Sequence, residues 1–244
     1  QACLVLCLAL ISVAYIRIFN PTASESAFSP ASRPLPIYNV DTQEKKIAIS
    51  FDAAWGEEKT DEILQILKDR DIETTFFLVG YWVDKYPDRV RQIAEAGHEI
   101  GNHSNTHPHM SELSEAQIAQ ELNDLSDKVE ALTGTRPTLF RPPYGDYDDE
   151  VVLTARKNGY EVIQWNVDSL DWKNLGVTPM VERVTKNLAP GAIVLFHNNS
   201  QYITEAILEE GYEIVPVSEL IVDGEYWIDH TGKQYAGTVG GANG

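Results

Sequence analysis

Cysteine is nearly absent. The 244-residue chain has two, Cys3 and Cys7, both among its first ten residues. No disulfide can therefore staple the rest of the chain. Basic residues are scarce: 19 Lys and Arg stand against 37 Asp and Glu, a net charge of −18. A surface that acidic repels phosphate backbones, and no local basic patch offsets it, so nucleic-acid binding is disfavoured. The acidity itself reads as a solvated surface and says nothing about chemistry. No G-x-G-x-x-G and no G-x-x-x-x-G-K-[ST] follows any strand candidate, which removes support for nucleotide binding. Only one long apolar run exists, which excludes a multi-span membrane protein. What is present is ordinary globular composition, 43% hydrophobic and 23% charged. That excludes a mostly disordered chain, a collagen and a coiled coil. The length fits one large α/β domain or two small ones.

The apolar run extends from Ala2 to Phe19, interrupted only by Ser12 and Arg17. At 1.5 Å per residue it reaches roughly 27 Å, enough to cross the hydrocarbon core of a bilayer. Residues 1–19 are read as a membrane-targeting helix, a signal anchor, with a cleaved signal peptide as the rival. Either places the main domain outside the cytoplasm, membrane-anchored or secreted. Residues 20–44 carry Pro21, Pro30, Pro34 and Pro36 and read as a linker.

From Lys45 onward short β-rich runs alternate with helical periods. Strands are predicted at Ile47–Phe51, Thr74–Val79, Glu99–Asn102, Leu139–Arg141, Glu161–Asn166, Ala192–Phe196 and Glu213–Val217. The clearest helix opens on the capping-box pair Ser114 and Gln117. It continues through Ile118, Leu122, Leu125, Val129 and Leu132 at helical spacing and stops at Gly134. Asp149 is read as the cap of the next helix, residues 178–188 as another, and Thr204–Glu210 as a short one. Seven strands alternating with helices predict an α/β fold, a distorted and incomplete (β/α) barrel of about seven parallel strands over residues 45–222. An open doubly wound sheet is the alternative. Residues 223–244 read as a loosely packed tail.

In such a barrel the functional groups collect at the C-terminal ends of the strands. Five strand ends here carry ionisable or metal-binding side chains: Asp52, then His103 and His107, then Arg141 with Tyr144, then Asp168 and Asp171 with Trp172, then His197. His103 and His107 stand four apart and share one direction if that segment turns helically, which suits a metal. Asp52 after a buried run needs a partner, and Arg141 is the candidate. His197 leaves an apolar strand and needs an acid to be more than a core histidine; Asp171 is available.

These motifs resemble the polysaccharide deacetylase family (the NodB-homology domain, carbohydrate esterase family 4). The matches run in order: Phe51-Asp52, His103-Ser104-Asn105-Thr106-His107, Arg141-Pro142-Pro143-Tyr144-Gly145, Asp168-Ser169-Leu170-Asp171-Trp172 and Leu195-Phe196-His197-Asn198. The wording around Tyr38–Thr42 and Phe51–Gly56 resembles the sporulation-associated PdaB-like branch. The resemblance implies a metal-dependent hydrolase that removes N-acetyl groups from peptidoglycan or a chitin-like polymer. By the same resemblance Asp52 is the general base, Arg141 its holder, and His103 and His107 two metal ligands. The Tyr144 N–H helps bind the oxyanion, Asp171 and Trp172 are the acid-and-tryptophan pair, Leu195 lines the acetyl pocket, and His197 is the general acid. The implied cofactor is a divalent metal, Zn with Co or Mn as alternatives. The partners are a polysaccharide substrate and the membrane, and the chain is read as a monomer. One position departs from the pattern: Ala53 stands where a third ligand, an aspartate, is usual. The alternative function is therefore a catalytically impaired relative that binds glycan.

Overall fold

The computed structural model describes residues 33–198 and 210–238. The apolar run at residues 2–19 lies outside them. Among the described residues no helix is long and apolar enough to cross a membrane.

The strands are β1 (Asn39–Val40), β2 (Lys46–Ala53), β3 (Thr75–Leu78), β4 (Glu99–Asn102), β5 (Leu139–Phe140), β6 (Glu161–Val162), β7 (Val167–Asp168), β8 (Ile193–His197), β9 (Glu213–Ile214), β10 (Tyr226–Ile228) and β11 (Lys233–Ala236). The helices are α1 (Thr60–Asp69), α2 (Gly80–Lys85), α3 (Pro87–Glu95), α4 (Glu115–Thr133), α5 (Asp149–Lys157), α6 (Val177–Asn187) and α7 (Val217–Leu220). One parallel sheet runs β6-β5-β4-β3-β2-β8-β7, with β9 added on β2. Its two edge strands, β6 and β7, are consecutive in sequence. The four residues between Val162 and Val167 reach at most roughly 17 Å. In a flat sheet those edges would lie roughly 29 Å apart. The sheet is therefore curled into an incomplete barrel, as the alternation of strands and helices predicts.

Strand β2 is its centre, and every residue from Ile47 to Ala53 is buried. Burial on both faces is what a parallel strand with helices outside and a filled interior requires. Ile47, Ile49, Phe51 and Ala53 join the outer core with Ile63, Leu67, Trp82 and Val83. Ala48 joins the inner core with Phe77, Ile163 and Ile193. Helix α4 is held as its sequence predicts. Ser114 and Gln117 form the capping box, and Gly134 closes it at φ +76°, a conformation that favours glycine. Its Ile118, Leu122, Leu125 and Val129 are buried, each contributing roughly 1.5–3 kcal/mol.

Several local expectations are corrected. The cap of α5 is Asp148, whose Oδ1 accepts from Val151 N–H at 2.9 Å, rather than Asp149. Of the predicted strand Glu161–Asn166 only β6 forms; residues 163–166 cross between the sheet edges, and β7 begins at Val167. The strand predicted to reach Val217 ends at Ile214, and α7 begins at Val217. The helix predicted at Thr204–Glu210 falls, but for Glu210, outside the described residues. The compact unit starts at Pro34, not at Lys45. Ile37 is fully buried, and β1 pairs in parallel with β11. Residues 226–236 are accordingly not a loose tail; they form a hairpin that completes a three-stranded sheet, β1-β11-β10. Gly191, at φ +79°, lets that layer close on the barrel, since a Cβ there would lie 1.9 Å from the Val40 carbonyl.

Candidate active site

The parallel register brings the C-terminal ends of the strands together. Asp52 on β2 is aligned with His197 on β8, and Leu78 on β3 with Asn102 on β4. A cavity of about 500 Å³ opens there, lined by Asp52, His103, His107, Tyr144, Asp171, Trp172, Leu195 and His197, among others. Arg141 completes the expected set from behind Asp52, where it is fully buried. All nine residues singled out by sequence therefore meet in one place.

Asp52 is buried, and its Oδ1 accepts from Arg141 Nη1 at 2.8 Å. Arg141 Nη2 donates to the Gln164 carbonyl at 3.3 Å, and its guanidinium lies 4.1 Å from the Phe77 ring centre. Burial works to raise the Asp52 carboxyl. The Arg141 charge and its hydrogen bond, with the charge of His197, outweigh it and hold the carboxyl below its ordinary range. Asp52 is thus an ionised carboxylate in a desolvated position.

His103 and His107 come together by a route other than the expected helical turn. The segment is irregular, and Ser104 and His107 both have positive φ, +64° and +58°. Asn102 organises the turn: its Nδ2 donates to the Leu122 carbonyl and to Ser126 Oγ, and its Oδ1 accepts from Ser104 N–H at 2.8 Å. The two imidazoles end 5.0 Å apart, edge to face. His103 Nδ1 donates to the Arg141 carbonyl at 2.7 Å. Its Nε2 therefore carries the lone pair, 3.5 Å from Asp52 Oδ2. Burial lowers both histidines, His107 to about 4, so both are neutral at pH 7.

Neutral imidazoles suit a metal, and His107 Nδ1 is buried without a hydrogen-bond partner among the described residues. The third donor is missing. Ala53 offers no lone pair. Among the described residues no three His, Cys, Asp or Glu side chains are arranged to hold a metal. A three-ligand catalytic metal does not fit the residues present.

On the opposite wall, His197 Nδ1 donates to Asp171 Oδ1 at 2.7 Å, and its backbone N–H donates to Oδ2 at 2.7 Å. The turn that aims Asp171 is set by Leu170 at φ +53° and by the Trp172 N–H, which donates to Asp171 Oδ1. Burial lowers the His197 imidazole; its bond to Asp171 and the charges of Asp52, Asp171 and Asp168 outweigh that and raise it. Tyr144 sits in a 3-10 turn, Pro143–Gly145, at φ +59°. Such backbone strain in a residue other than glycine persists only when the surroundings enforce it. Its ring lies against His107 and stacks on His109, each at 4.5 Å.

The polysaccharide deacetylase profile matches residues 39–163. The chain belongs to the polysaccharide deacetylase family. It is 37% identical over 196 residues to a peptidoglycan-N-acetylglucosamine deacetylase of Bacillus cereus, covering 75% of this chain and 92% of that one. It is 32% identical over 195 residues to YlxY of Bacillus subtilis; that match covers 78% of this chain and only 61% of YlxY's length. Among solved structures, a CE4 family pseudoenzyme from Bacillus anthracis has 37% identity and a TM-score of 0.73, covering 77% of this chain and 69% of that one. A mutant of that pseudoenzyme with restored enzymatic activity has 38% identity and a TM-score of 0.74, covering 77% and 71%. Family membership thus spans active deacetylases and a pseudoenzyme alike.

Sequence reasoning left four supporting residues unassigned. Asn198 donates through Nδ2 to the Trp55 and Gly56 carbonyls, at 3.0 and 2.7 Å. Gln164 Nε2 donates to the Gly145 carbonyl behind Tyr144 at 3.0 Å. Trp165 and Asp168 line the cavity. Asn198 was legible as the residue after His197 and Asp168 as a strand-end acid; Gln164 and Trp165 had no sequence signal.

Proposed function

We propose that this chain hydrolyses N-acetyl groups on a cell-wall glycan of the peptidoglycan or chitin type. One observation carries the reading. Two titratable groups of opposite tuning, an ionised Asp52 and a raised His197, sit on neighbouring strands in register and line one cavity. Environments that push two groups apart in this way mark an acid and a base. Asp52 accepts a proton from the attacking water, and Arg141 keeps it ionised and fixed. His197, held protonated by Asp171, gives its proton from Nε2 to the leaving amine. The Tyr144 N–H donates to the oxyanion. The products are acetate and a glucosamine unit. His103 and His107 supply two metal donors, and the proton transfers use neither.

The reading extends to an extracytoplasmic, monomeric protein tethered through residues 2–19. Through its PdaB-like motif wording it extends to a role in sporulation. A second reading, a glycan binder without turnover, is favoured by one observation, Ala53 in place of a third metal donor. Acetate release from peptidoglycan and chitin oligomers, with and without Zn²⁺, Co²⁺ or Mn²⁺, separates the two. Asp52→Asn and His197→Ala are each expected to lower release by a factor of about 10² or more while the variants stay folded. Near-normal release from either variant refutes the role assignment.

A further inference from the structure

Trp55 is 61% exposed, the most exposed large hydrophobic side chain among the described residues. It lines the cavity, and its ring meets His107 edge to face at 5.3 Å. Its backbone is immobilised from beneath. Buried Asn198 donates to the Trp55 and Gly56 carbonyls, and Trp82 Nε1, itself buried, donates to the Gly56 carbonyl at 2.6 Å. Two polar groups of the core thus fix the backbone turn that carries the indole. Tyr144 and Trp172, each 59% exposed, stand on the same cavity, and the Trp172 N–H is held by Asp171 Oδ1. An exposed indole carried on a fixed backbone is a platform for a flat, partly apolar ligand, because it offers a large contact face with only two side-chain torsions to order.

The cleft also limits the charge of that ligand. Asp52, Asp168 and Asp171 line it, and the nearby cations are already paired, Arg141 behind Asp52 and the His197 imidazole on Asp171. A neutral pyranose fits. One face of such a ring presents C–H groups, and its hydroxyls point outward to water and to polar neighbours. We propose that Trp55 is the stacking platform for a neutral N-acetylhexosamine ring beside His107, a binding role separate from the acid–base pairs. The assignment rests on reading the cleft as a glycan site.

The test is titration of the full chain with the N-acetylglucosamine tetramer by calorimetry, with saturation-transfer NMR on the bound sugar. Trp55→Ala is expected to weaken binding about tenfold and to erase the transfer to the ring C–H protons. Trp55→Phe is expected to keep binding within about threefold and to keep that transfer. A merely structural role moves the melting temperature and leaves the C–H signature in place. Binding of Trp55→Ala within about twofold of the parent, or no binding of the tetramer by the parent, overturns the assignment. Parallel acetate assays separate it from the hydrolytic reading. Acetate release by the parent with unchanged Trp55→Ala binding sinks the platform alone. No release, with binding lost in Trp55→Ala, supports the platform and sinks hydrolysis alone.

Discussion

Replacing Arg141 with methionine isolates the electrostatic centre of the site. Methionine keeps the unbranched apolar stem and removes the guanidinium. The Asp52 carboxylate then loses its 2.8 Å partner while remaining buried. The contact of the guanidinium with the Phe77 ring also goes. Stranding one member of a buried ion pair costs about 3–5 kcal/mol. For a domain of this size each kcal/mol lowers the melting temperature by about 2–4 °C, so Arg141→Met is expected to melt roughly 6–20 °C below the parent. The double variant Asp52→Asn/Arg141→Met removes the stranded charge and should recover most of the loss, with a coupling of about 2 kcal/mol or more. The pH dependence has a definite sign. In the parent the Asp52 pKa is depressed, so its stabilisation is present above the unfolded value near 3.8 and is lost as pH falls through the folded value. Without Arg141, burial raises the carboxyl, and protonation relieves the variant. The deficit of Arg141→Met should therefore narrow as pH falls from 7 to about 4. Urea unfolding at both pH values, followed by tryptophan fluorescence, measures this. A single variant within about 1 kcal/mol of the parent at pH 7, or strict additivity in the double variant, refutes the reasoning.

Asp171→Asn removes the partner that raises His197. Acetate release needs the protonated imidazole, so its alkaline limb should move to lower pH; an unmoved pH–rate profile counts against Asp171. The stabilisation from that pair is present below the unfolded value of 6.5 and is lost as pH rises through the raised folded value, so the variant's stability deficit is largest in acid. Ala53→Asp adds the missing carboxylate donor next to Asp52. Metal content by plasma mass spectrometry should rise to about one Zn²⁺ per chain, with faster acetate release, and a variant that binds no more metal than the parent excludes this position as the missing ligand. Position 53 is 1% exposed within the outer hydrophobic cluster. The metal-free variant is accordingly expected to melt below the parent and to recover when Zn²⁺ is added.

The parts of this fold that sequence reveals are those whose local pattern and tertiary role agree. Strand β2 is a continuous apolar run because both its faces are covered, and α4 carries its own start and stop signals in Ser114, Gln117 and Gly134. The site residues were legible because strand ends in a parallel barrel share one rim. The expected reason for the His103–His107 pairing was wrong in detail. Two left-handed residues and the buried Asn102 amide aim the rings, and neither leaves a trace in residue spacing. The hairpin β10–β11 was missed because Tyr226–Ile228 and Lys233–Ala236 are short and half-polar. Their partner, β1, lies in a segment that proline content marks as linker. Long-range pairing decided those elements, and no window of local sequence contains it.

That same pairing sets the order in which the molecule can finish folding. Asn39 and Val40, near the start of the compact unit, pair with Lys233 and Gln234, close to its end. Asp41 N–H donates to the Gln234 carbonyl, and the fully buried Gln234 amide exchanges hydrogen bonds with Val222 in both directions. A nascent chain that has emerged only as far as Val222 holds every element of the parallel sheet and can bridge Ile37 to Ile163 and Asn39 to Ala192, but it lacks the β11 partner of β1. With residues 37–40 already resting on the barrel, only the short stretch after Val222 has to close, so this step comes last because that stretch is made last. The clasp acts as a completion latch. During synthesis the parallel sheet precedes it, and a chain shortened before Lys233 keeps Ile37 and Val40 packed on the barrel but leaves the edge of β1 unpaired and open to pairing with another chain.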